Sequence, residues 1–454
     1  MSQNANNFMN KLEEKFMGPL GKFSQSKFVR AIMNTGMATI PFTIVGSMFL
    51  VLNVLPMTFP ALEGFFNNTF FRFSDIYMLA NKATMGILAL FFVIVLGFEY
   101  TKAYVQDEGL DLDPLNGALL SVMAFFMTIP QIVFEDGYMT LVNVMDDTAQ
   151  IVNGWEMGAD GVTRLGTVGI FTGIIISVLA VEIYRITVQK NWTIKMPDAV
   201  PQGVSKAFTA LIPAFIVSIV VMIIQGILVS LGTDIFQLAA IPFGFITNIA
   251  NSWAGLMVIV FLLHGLWIVG IHGGTIITSI VSPITLANVQ ANVEGEVIPF
   301  AGDIWNVFIH SGGSGATLGL TLWMAFVAKS EQLGALGKVS VIPGLFNINE
   351  PIIFGTPILY NPIMAIPFIL APMVTATITY ITINTGLVNP IIALNPWPAP
   401  VGLSAFIATA GDWKSVILAF VNVIVAFAIY YPFVRMYDNQ LVGEELENAE
   451  TAQA

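Results

Sequence analysis

Long apolar runs separated by short polar segments occupy the first half of the chain. Before the first run, Phe8, Leu12 and Phe16 recur at helical spacing among lysines, which predicts an amphipathic helix on a membrane surface within residues 1–27. A helix of about 20 apolar residues crosses the ~30 Å hydrocarbon core of a bilayer. Membrane spans are therefore predicted over residues 29–55, 78–100, 115–134, 165–188 and 207–231.

Past residue 232 the apolar runs become shorter and are interrupted by glycine and proline. Further spans are predicted over 252–271, 304–328, 362–388 and 413–433, with a short helix at 234–250, a segment at 274–290 too short and polar to cross, and broken stretches at 346–357 and 389–411. Interrupted segments of this kind mark the substrate-binding part of many transporters. The pattern predicts a regular scaffold domain over 28–232, a substrate-handling transport domain over 233–435 and an acidic disordered tail over 436–454.

Basic residues in the short loops predict the orientation of the chain in the membrane, because cytoplasmic loops carry an excess of lysine and arginine. Basic residues are concentrated before the first span: Lys11, Lys15, Lys22, Lys27 and Arg30. The next segment, residues 56–76, has only Arg72, whereas residues 189–206 carry three lysines. The N-terminus and its surface helix are therefore predicted to be cytoplasmic, although loop 101–114, with one lysine and four acids, does not follow the pattern.

Composition places these runs in an integral membrane protein. Of the 454 residues, 56% are hydrophobic and 10% are charged, whereas a soluble domain carries about 25% charged residues. The net charge of −12 argues against nucleic acid as a partner. The chain has no cysteine and no Walker A sequence, which excludes a disulfide, a thiolate metal site and a cysteine nucleophile within it and argues against ATP hydrolysis. Neither a cofactor nor a metal is predicted.

Residues 346–357, Phe-Asn-Ile-Asn-Glu-Pro-Ile-Ile-Phe-Gly-Thr-Pro, place a carboxylate and two amides in an apolar background. Pro351 directly follows Glu350, and proline disfavours helix in the residue before it, so a continuous helix is not expected here. Broken backbone at membrane depth occurs only where protein buries it or a water-filled cavity receives it. An acid at such a break predicts a functional site, with Asn347 and Asn349 as substrate-binding residues. The alternative is a solvated loop between two helices.

The chain has three histidines, His264, His272 and His310, which differ in their surroundings. His272 lies between glycines at the end of a predicted span. A carboxylate and an imidazole in a cavity of low dielectric constant can hold one hydroxyl together, since one accepts its proton and the other donates to its oxygen. Glu350 and His272 are therefore the predicted catalytic pair, and the alternative for His272 is packing. His264 and His310 are predicted to be satisfied interior histidines.

Tryptophan adds two candidates for sugar binding, because sugar rings have apolar faces that stack on indole. Trp397 is the first, since prolines on both sides hold it on a non-helical segment. Trp267, shortly before His272, is the second. The alternative for each tryptophan is an anchor at the membrane interface.

Glycine supplies the last candidates. The run Gly312–Gly315 can present backbone N–H groups to a phosphate, and Gly313 is assigned to the substrate site on that basis. Close helix packing by small residues is the alternative. Gly273, directly after His272, is also assigned to the substrate site.

Several segments together resemble one family. They are Lys195-Met-Pro-Asp-Ala-Val-Pro201, Gly270-Ile-His-Gly273, Phe346-Asn-Ile-Asn-Glu-Pro351, Asn361-Pro362 and Pro396-Trp397. They look like the membrane subunit, enzyme IIC, of bacterial phosphotransferase systems (PTS) in the lactose, cellobiose and diacetylchitobiose group, closest to the cellobiose type. The resemblance runs from the N-terminal helix to about residue 435, and the Gly-Ile-His-Gly and Asn-Ile-Asn-Glu-Pro segments are its most specific parts.

For the fold, the resemblance implies an all-α polytopic membrane protein with about ten transmembrane helices and two re-entrant hairpins. The first domain would form a homodimer. The second domain, which would contain the hairpins, would move as in an elevator-type transporter. The resemblance also implies a multi-pass protein in contact with lipid in the bacterial cytoplasmic membrane.

For the function, the resemblance implies a permease for a β-linked disaccharide, with cellobiose first and lactose, diacetylchitobiose and gentiobiose behind. His272 and Glu350 would hold the 6-hydroxyl of the sugar. The phosphoryl group would come from a phosphocysteine on a separate enzyme IIB, so that this subunit would not be catalytic alone. The alternatives are a proton-coupled sugar symporter with Glu350 as the coupling carboxylate, an uncoupled sugar channel and a bilayer scaffold.

Overall fold

Helices predominate in the computed structural model, which describes residues 25–58, 61, 63–143, 150–158, 161–197, 200–268, 272–356, 358, 361–395 and 399–453. The first helices are α1 (Lys27–Thr58), α2 (Glu63–Asn68), α3 (Ser74–Lys82), α4 (Leu88–Glu108), α5 (Pro114–Phe126), α6 (Ile170–Gln189), α7 (Gln202–Thr209), α8 (Leu211–Ser230) and α9 (Ile235–Asn251). The later helices are α10 (Trp253–Ile268), α11 (Gly273–Val293), α12 (Leu318–Phe326), α13 (Glu331–Leu345), α14 (Glu350–Gly355), α15 (Pro362–Asn384), α16 (Leu403–Ala408) and α17 (Trp413–Gln453). The predicted surface helix within residues 1–27 lies almost entirely outside the described residues.

The described part of the chain contains 6 helices long and apolar enough to cross a membrane, or up to 7 if the bent pair α9 and α10 is counted as one span. A mostly helical membrane protein is therefore confirmed. The count of about ten spans stays a prediction, as does the cytoplasmic position of the N-terminus.

The link between α4 and α5 illustrates how the sequence sets helix ends. Helix α4 ends at Gly109, whose φ of 64° is left-handed and suits glycine. Helix α5 begins after Asp113, whose carboxylate accepts a hydrogen bond from the Leu115 N–H at 2.8 Å. Partial burial would raise the pKa of Asp113, but the Lys206 ammonium, 2.8 Å from the carboxylate, and the N–H groups of the first helical turn lower this pKa overall.

The strictly all-α prediction is wrong for residues 132–162, which form five short strands: β1 (Ile132–Glu135), β2 (Tyr138–Leu141), β3 (Gln150–Val152), β4 (Trp155–Gly158) and β5 (Gly161–Val162). Strand β1 pairs with β2, and β3, β4 and β5 form a second antiparallel sheet. The turns Asp136-Gly137 and Asn153-Gly154 have positive φ at both residues. This is the conformation that Asp-Gly and Asn-Gly favour in tight hairpins.

The chain divides into two compact units, each described here by itself. One comprises residues 22–49 and 73–247 and is called the regular unit; the other includes residues 50–72 and 248–454 and is called the broken unit. The sequence-based domain boundary near residue 232 stays a prediction.

The predicted continuous span over 304–328 is wrong. A π-helical turn, Trp305–Ile309, is followed by irregular backbone, and helix resumes only at α12. Positive φ angles at Gly312, Gly313 and Gly315, and at Ala316, explain the break, because an α-helix does not accept them. By contrast, the break expected in residues 346–357 is confirmed, since α13 ends at Leu345 and only the short α14 follows.

The tail over 436–453 is helical, which corrects the prediction of disorder. Helix α17 runs without interruption from Trp413 to Gln453. Tyr437 and Asp438 in its second half are buried at 7% and 2% exposure. Packing and hydrogen bonding against the rest of the broken unit thus give the acidic segment an order that its composition does not suggest.

Candidate functional site

Helices α12 and α13 form an antiparallel hairpin in the broken unit. Gly337 packs against Met324 and Ala325, whereas Gly344, further along α13, packs near Leu318 at the start of α12. The two chain segments therefore come together at the base of the hairpin: the glycine run before α12 and the residues around Glu350 after α13.

Asn347 joins these segments with its side-chain amide. Its Oδ1 accepts a hydrogen bond from the Gly312 N–H at 2.8 Å, and its Nδ2 donates to the Asn306 carbonyl at 3.2 Å. The backbone of Asn347 has a φ of 61°, a left-handed conformation that asparagine tolerates better than most residues. The structure thus brings Asn347 and the glycine run together, and the predicted role of Asn347 in sugar binding stays a prediction.

Asn349 makes a second connection to the glycine run. Its Nδ2 donates to the Ser314 carbonyl at 2.6 Å and to the Thr317 hydroxyl at 2.9 Å. A Cβ on Gly313 would overlap the Asn349 side chain, so this approach requires glycine. The geometry accounts for Gly313 by close packing, and its predicted contact with a phosphate stays a prediction.

Glu350 begins α14 and its side chain is exposed, although Asn349 before it and Ile352 after it are buried. The carboxylate lies close enough to His272 to interact with the imidazole electrostatically. Glu350 and His272 thus lie in the same region of the broken unit, since α14 contacts Trp267 and Trp267 contacts His272; a direct contact between the pair stays a prediction. Their joint action on a sugar hydroxyl is chemically possible but stays a prediction.

Trp267 lies against His272, with ring centroids 4.2 Å apart. Phe354 of α14 contacts the same indole at 6.5 Å with the rings nearly perpendicular, which positions α14 beside Trp267. Trp267 is 4% exposed, and its Nε1 is buried with no hydrogen-bond partner among the described residues. A ligand does not reach this N–H in the present conformation, so the predicted contact of Trp267 with sugar stays a prediction.

Gly273, the first residue of α11, is buried, and a Cβ there would overlap the Leu263 carbonyl. Close packing of the start of α11 against Leu263 and Leu266 of α10 explains this glycine without a substrate contact. Trp397 lies outside the described residues, so its predicted stacking remains untested.

His264 and His310 are interior residues, as predicted. Their rings lie 4.8 Å apart, and His264 Nδ1 bonds to the Val260 carbonyl at 2.7 Å. However, the Nε2 atoms of both rings are buried without a hydrogen-bond partner among the described residues, so the histidines are only partly satisfied.

Sequence reasoning missed Asn306 and Thr317, which hold the two site asparagines through a carbonyl and a hydroxyl. Both lie in the stretch predicted as one continuous span. Polar residues within that apolar stretch were the available signal. Across the described residues, no group of three or more His, Asp or Glu side chains is arranged to hold a metal ion.

Comparison with known proteins shows similarity to one family across both units. The family described as "Phosphotransferase system, EIIC" matches residues 33–372. The PTS system cellobiose-specific EIIC component of Geobacillus stearothermophilus is 34% identical over 454 residues, with 96% of each chain covered. The PTS system lactose-specific EIICB component of Lactococcus lactis subsp. lactis is 30% identical, and the match covers 93% of this chain and 71% of that relative.

One solved structure is similar over nearly its full length. It is the transporter ChbC, the IIC component from the N,N'-diacetylchitobiose-specific phosphotransferase system. The TM-score is 0.83 at 33% sequence identity, and the match covers 96% of this chain and 99% of that chain. Sequence and fold are thus similar to the same group of membrane proteins.

Proposed function

The chain belongs to the EIIC family of the phosphotransferase system, and from this premise we propose how it handles its sugar. It is a multi-pass membrane permease for sugars of the cellobiose type. We propose that its substrate is a β-linked disaccharide, cellobiose first, whose 6-hydroxyl is presented to a separate phosphorylated enzyme IIB.

The observation that carries this proposal is the grouping of Glu350, His272 and Trp267. An exposed carboxylate interacts with an imidazole, and the imidazole lies against a buried indole. The exposed carboxylate and the exposed imidazole offer an acceptor and a donor to one hydroxyl, and the buried indole supports the imidazole from one side.

Phosphoryl transfer requires these residues to position the sugar hydroxyl and to accept its proton. The sugar oxygen attacks phosphorus as the phosphorus–sulfur bond of the donor phosphocysteine breaks, and the thiolate leaves. Glu350 accepts the hydroxyl proton as the new oxygen–phosphorus bond forms, and His272 donates a hydrogen bond to the same oxygen. Holding the hydroxyl in line with the donor supplies much of the rate enhancement.

Phosphorylation also gives the transport its direction. The product carries a phosphate dianion, which the apolar surroundings do not solvate and which the exposed Glu350 repels once it has released its proton to water. The sugar phosphate is therefore released and retained in the cell.

Three further features belong to the same proposal. The donor is a separate enzyme IIB, and these 454 residues contain no cysteine that could carry the phosphoryl group. The scaffold domain over 28–232 forms a homodimer. The transport domain over 233–435, which includes Asn347, Asn349 and Trp397 as sugar ligands, moves as in an elevator-type transporter.

Transport by membrane vesicles tests the proposal. Vesicles supplied with phosphorylated enzyme IIB are expected to accumulate the 6-phosphate of cellobiose, and vesicles without the partner are expected to accumulate no sugar. Accumulation of unmodified sugar under a proton gradient would instead identify a symporter and overturn the proposal. Binding measurements with cellobiose, lactose, diacetylchitobiose and gentiobiose then identify the sugar, and the tightest binding is expected for cellobiose.

A further inference from the structure

Helix α17 is much longer than a membrane requires. It contains 41 residues, which at about 1.5 Å per residue span roughly 60 Å, about twice the ~30 Å hydrocarbon core. Its first half is apolar, and its second half carries Asp438 and Glu445 among other acids. The second half therefore lies beyond the hydrocarbon, where charged residues are stable.

Both carboxylates bind the tip of the α12–α13 hairpin. Asp438 accepts hydrogen bonds from the Lys329 N–H at 3.1 Å and from the Ser330 N–H at 2.9 Å. Glu445 accepts from the Ser330 hydroxyl at 2.6 Å and from the N–H groups of Glu331 and Gln332, both at 3.3 Å. N–H groups at the start of a helix have no partner within the helix. Ser330 is the N-cap of α13 and accepts from the Leu333 N–H, Glu445 accepts from the first two N–H groups of the helix, and Asp438 holds the residues just before it.

Helix α17 also holds the other end of the hairpin. The Tyr430 hydroxyl donates to the Gly315 carbonyl at 2.8 Å, and Phe427 packs against Gly319 at the start of α12. One helix thus contacts the hairpin at the glycine run and at the tip. Because α12 and α13 pack closely through glycine, a shift of the tip is transmitted along the hairpin to its base.

From these contacts we propose that the helical extension 436–453 supports the proposed sugar site of the broken unit, and that Asp438 and Glu445 in this extension act as positioning residues. They fix the tip of the hairpin against α17. They thereby keep the glycine run and the Asn347–Glu350 segment in their positions relative to each other. This inference rests on the proposed function, since the segment kept in register carries Glu350.

Hydrogen exchange measured by mass spectrometry tests the anchor on the full-length protein in lipid nanodiscs. The variant Glu445→Ala removes its three hydrogen bonds from a partly exposed position, and Glu444→Ala, at the exposed neighbouring position, is the matched control. Amides 331 and 332, which donate to Glu445, are expected to exchange about 5–30-fold faster in Glu445→Ala, the usual effect of losing a helix cap. Amides 312–317 and 347–350 are also expected to exchange faster, whereas Glu444→Ala is expected to resemble the wild type.

Sugar affinity provides the second measurement, and Glu445→Ala is expected to weaken cellobiose binding about threefold to tenfold if the base of the hairpin loses its register. Faster exchange confined to residues 329–333, with unchanged affinity, would reduce Glu445 to a local cap and overturn the proposal. Unchanged exchange at the tip would overturn it as well. Asp438→Ala is the stronger variant, but it removes a buried acid, so the conclusion depends on Glu445→Ala, which leaves no buried gap.

The two proposals fail in different ways. If wild-type protein binds none of the β-disaccharides, the proposed function is wrong, while the exchange pattern still tests the anchor. If wild-type protein binds and phosphorylates cellobiose but Glu445→Ala exchanges at its base like the wild type, only the positioning role is wrong.

Discussion

The two units satisfy their polar groups in different ways. In the regular unit, charged and hydroxyl side chains bind one another. Glu182 of α6 accepts hydrogen bonds from the Tyr100 hydroxyl at 2.7 Å and the Tyr104 hydroxyl at 2.5 Å, and pairs with Arg185 at 2.7 Å. Uninterrupted helices satisfy their own backbone groups, so side chains between them remain free to pair with each other.

In the broken unit, buried amide side chains bind the backbone at the interruptions between helices. Nδ2 of Asn292 donates to the carbonyls of Ile298 and Ile391, both at 3.0 Å, and Nδ2 of Asn422 donates to the Phe308 carbonyl at 3.1 Å. Asn347 and Asn349 do the same at the base of the hairpin. Each break in a helix leaves backbone groups without partners, and an amide can satisfy them without adding a charge. This arrangement leaves the carboxylate of Glu350 exposed for chemistry.

The largest effect is expected from Glu350→Gln. The amide keeps the shape of the side chain and can still bind a hydroxyl, but it cannot accept a proton at neutral pH. With phosphorylated enzyme IIB supplied, the rate of sugar-phosphate formation is expected to fall about 10²–10⁴-fold, the range for loss of a general base. Sugar binding is expected to persist in an equilibrium binding measurement.

Glu182→Gln in the regular unit is the matched control, and its transfer rate is expected to stay near that of the wild type. His272→Ala alone is expected to cost most of the activity, and adding Glu350→Gln to it little more, because both groups act on one hydroxyl. Normal sugar phosphorylation by Glu350→Gln, or independent effects of the two substitutions, would contradict the assigned roles.

An intermediate effect is expected from Asn347→Asp. One carboxylate oxygen can still accept from the Gly312 N–H, but the other faces the Asn306 carbonyl, to which the amide now donates. Leaving a buried polar group without its partner costs about 1–3 kcal/mol. The free energy of unfolding, measured by denaturant titration in detergent, is expected to fall by that amount.

Asn347→Gly tests the contribution of the side-chain amide separately from that of the backbone conformation, because glycine accepts the left-handed φ but has no side chain. It is also expected to be less stable than the wild type. If Asn347→Gly had the same free energy of unfolding as the wild type, only the backbone angle at this position would affect stability. Buried amides would then not be what stabilises the breaks of the broken unit.

Local sequence signals predicted the broken unit well where the cause is local. Pro351 after Glu350 indicated a break in the helix, and α13 ends at Leu345; the break lies at 346–349, and Pro351 sits in the first turn of α14, where a missing N–H costs no helical hydrogen bond. The strands in 132–162 also had a local signal in Asp136-Gly137 and Asn153-Gly154, which hydropathy alone passes over. Features of this kind follow from the conformational limits of single residues and their neighbours.

Partners distant in the sequence could not be predicted. The amide of Asn347 binds Gly312, 35 positions away, and Asp438 binds Ser330, 108 positions away. Composition made the tail resemble a disordered segment because its stabilising N–H groups belong to another part of the chain. The pairing of Glu350 with His272 was proposed from their chemistry, and only the fold shows that α14, which begins at Glu350, lies beside Trp267 and hence near His272.

The smallest effect is expected from Tyr104→Phe in the regular unit. Glu182 loses one donor but keeps the Tyr100 hydroxyl and the Arg185 guanidinium, and the phenylalanine ring can keep the contacts of the Lys27 ammonium and the Arg185 guanidinium, each 5.1 Å from the ring centroid. The free energy of unfolding is therefore expected to fall by about 0.5–1.5 kcal/mol, the net value of one hydrogen bond, with sugar binding unchanged.

Tyr100→Phe is the matched control, since it removes the other hydroxyl from the same carboxylate oxygen. The double variant is expected to lose more stability than the sum of the two single losses, because Glu182 then keeps only Arg185. A loss as large as that of Asn347→Asp would show that paired side chains in continuous helices are no more tolerant than the amides of the broken unit.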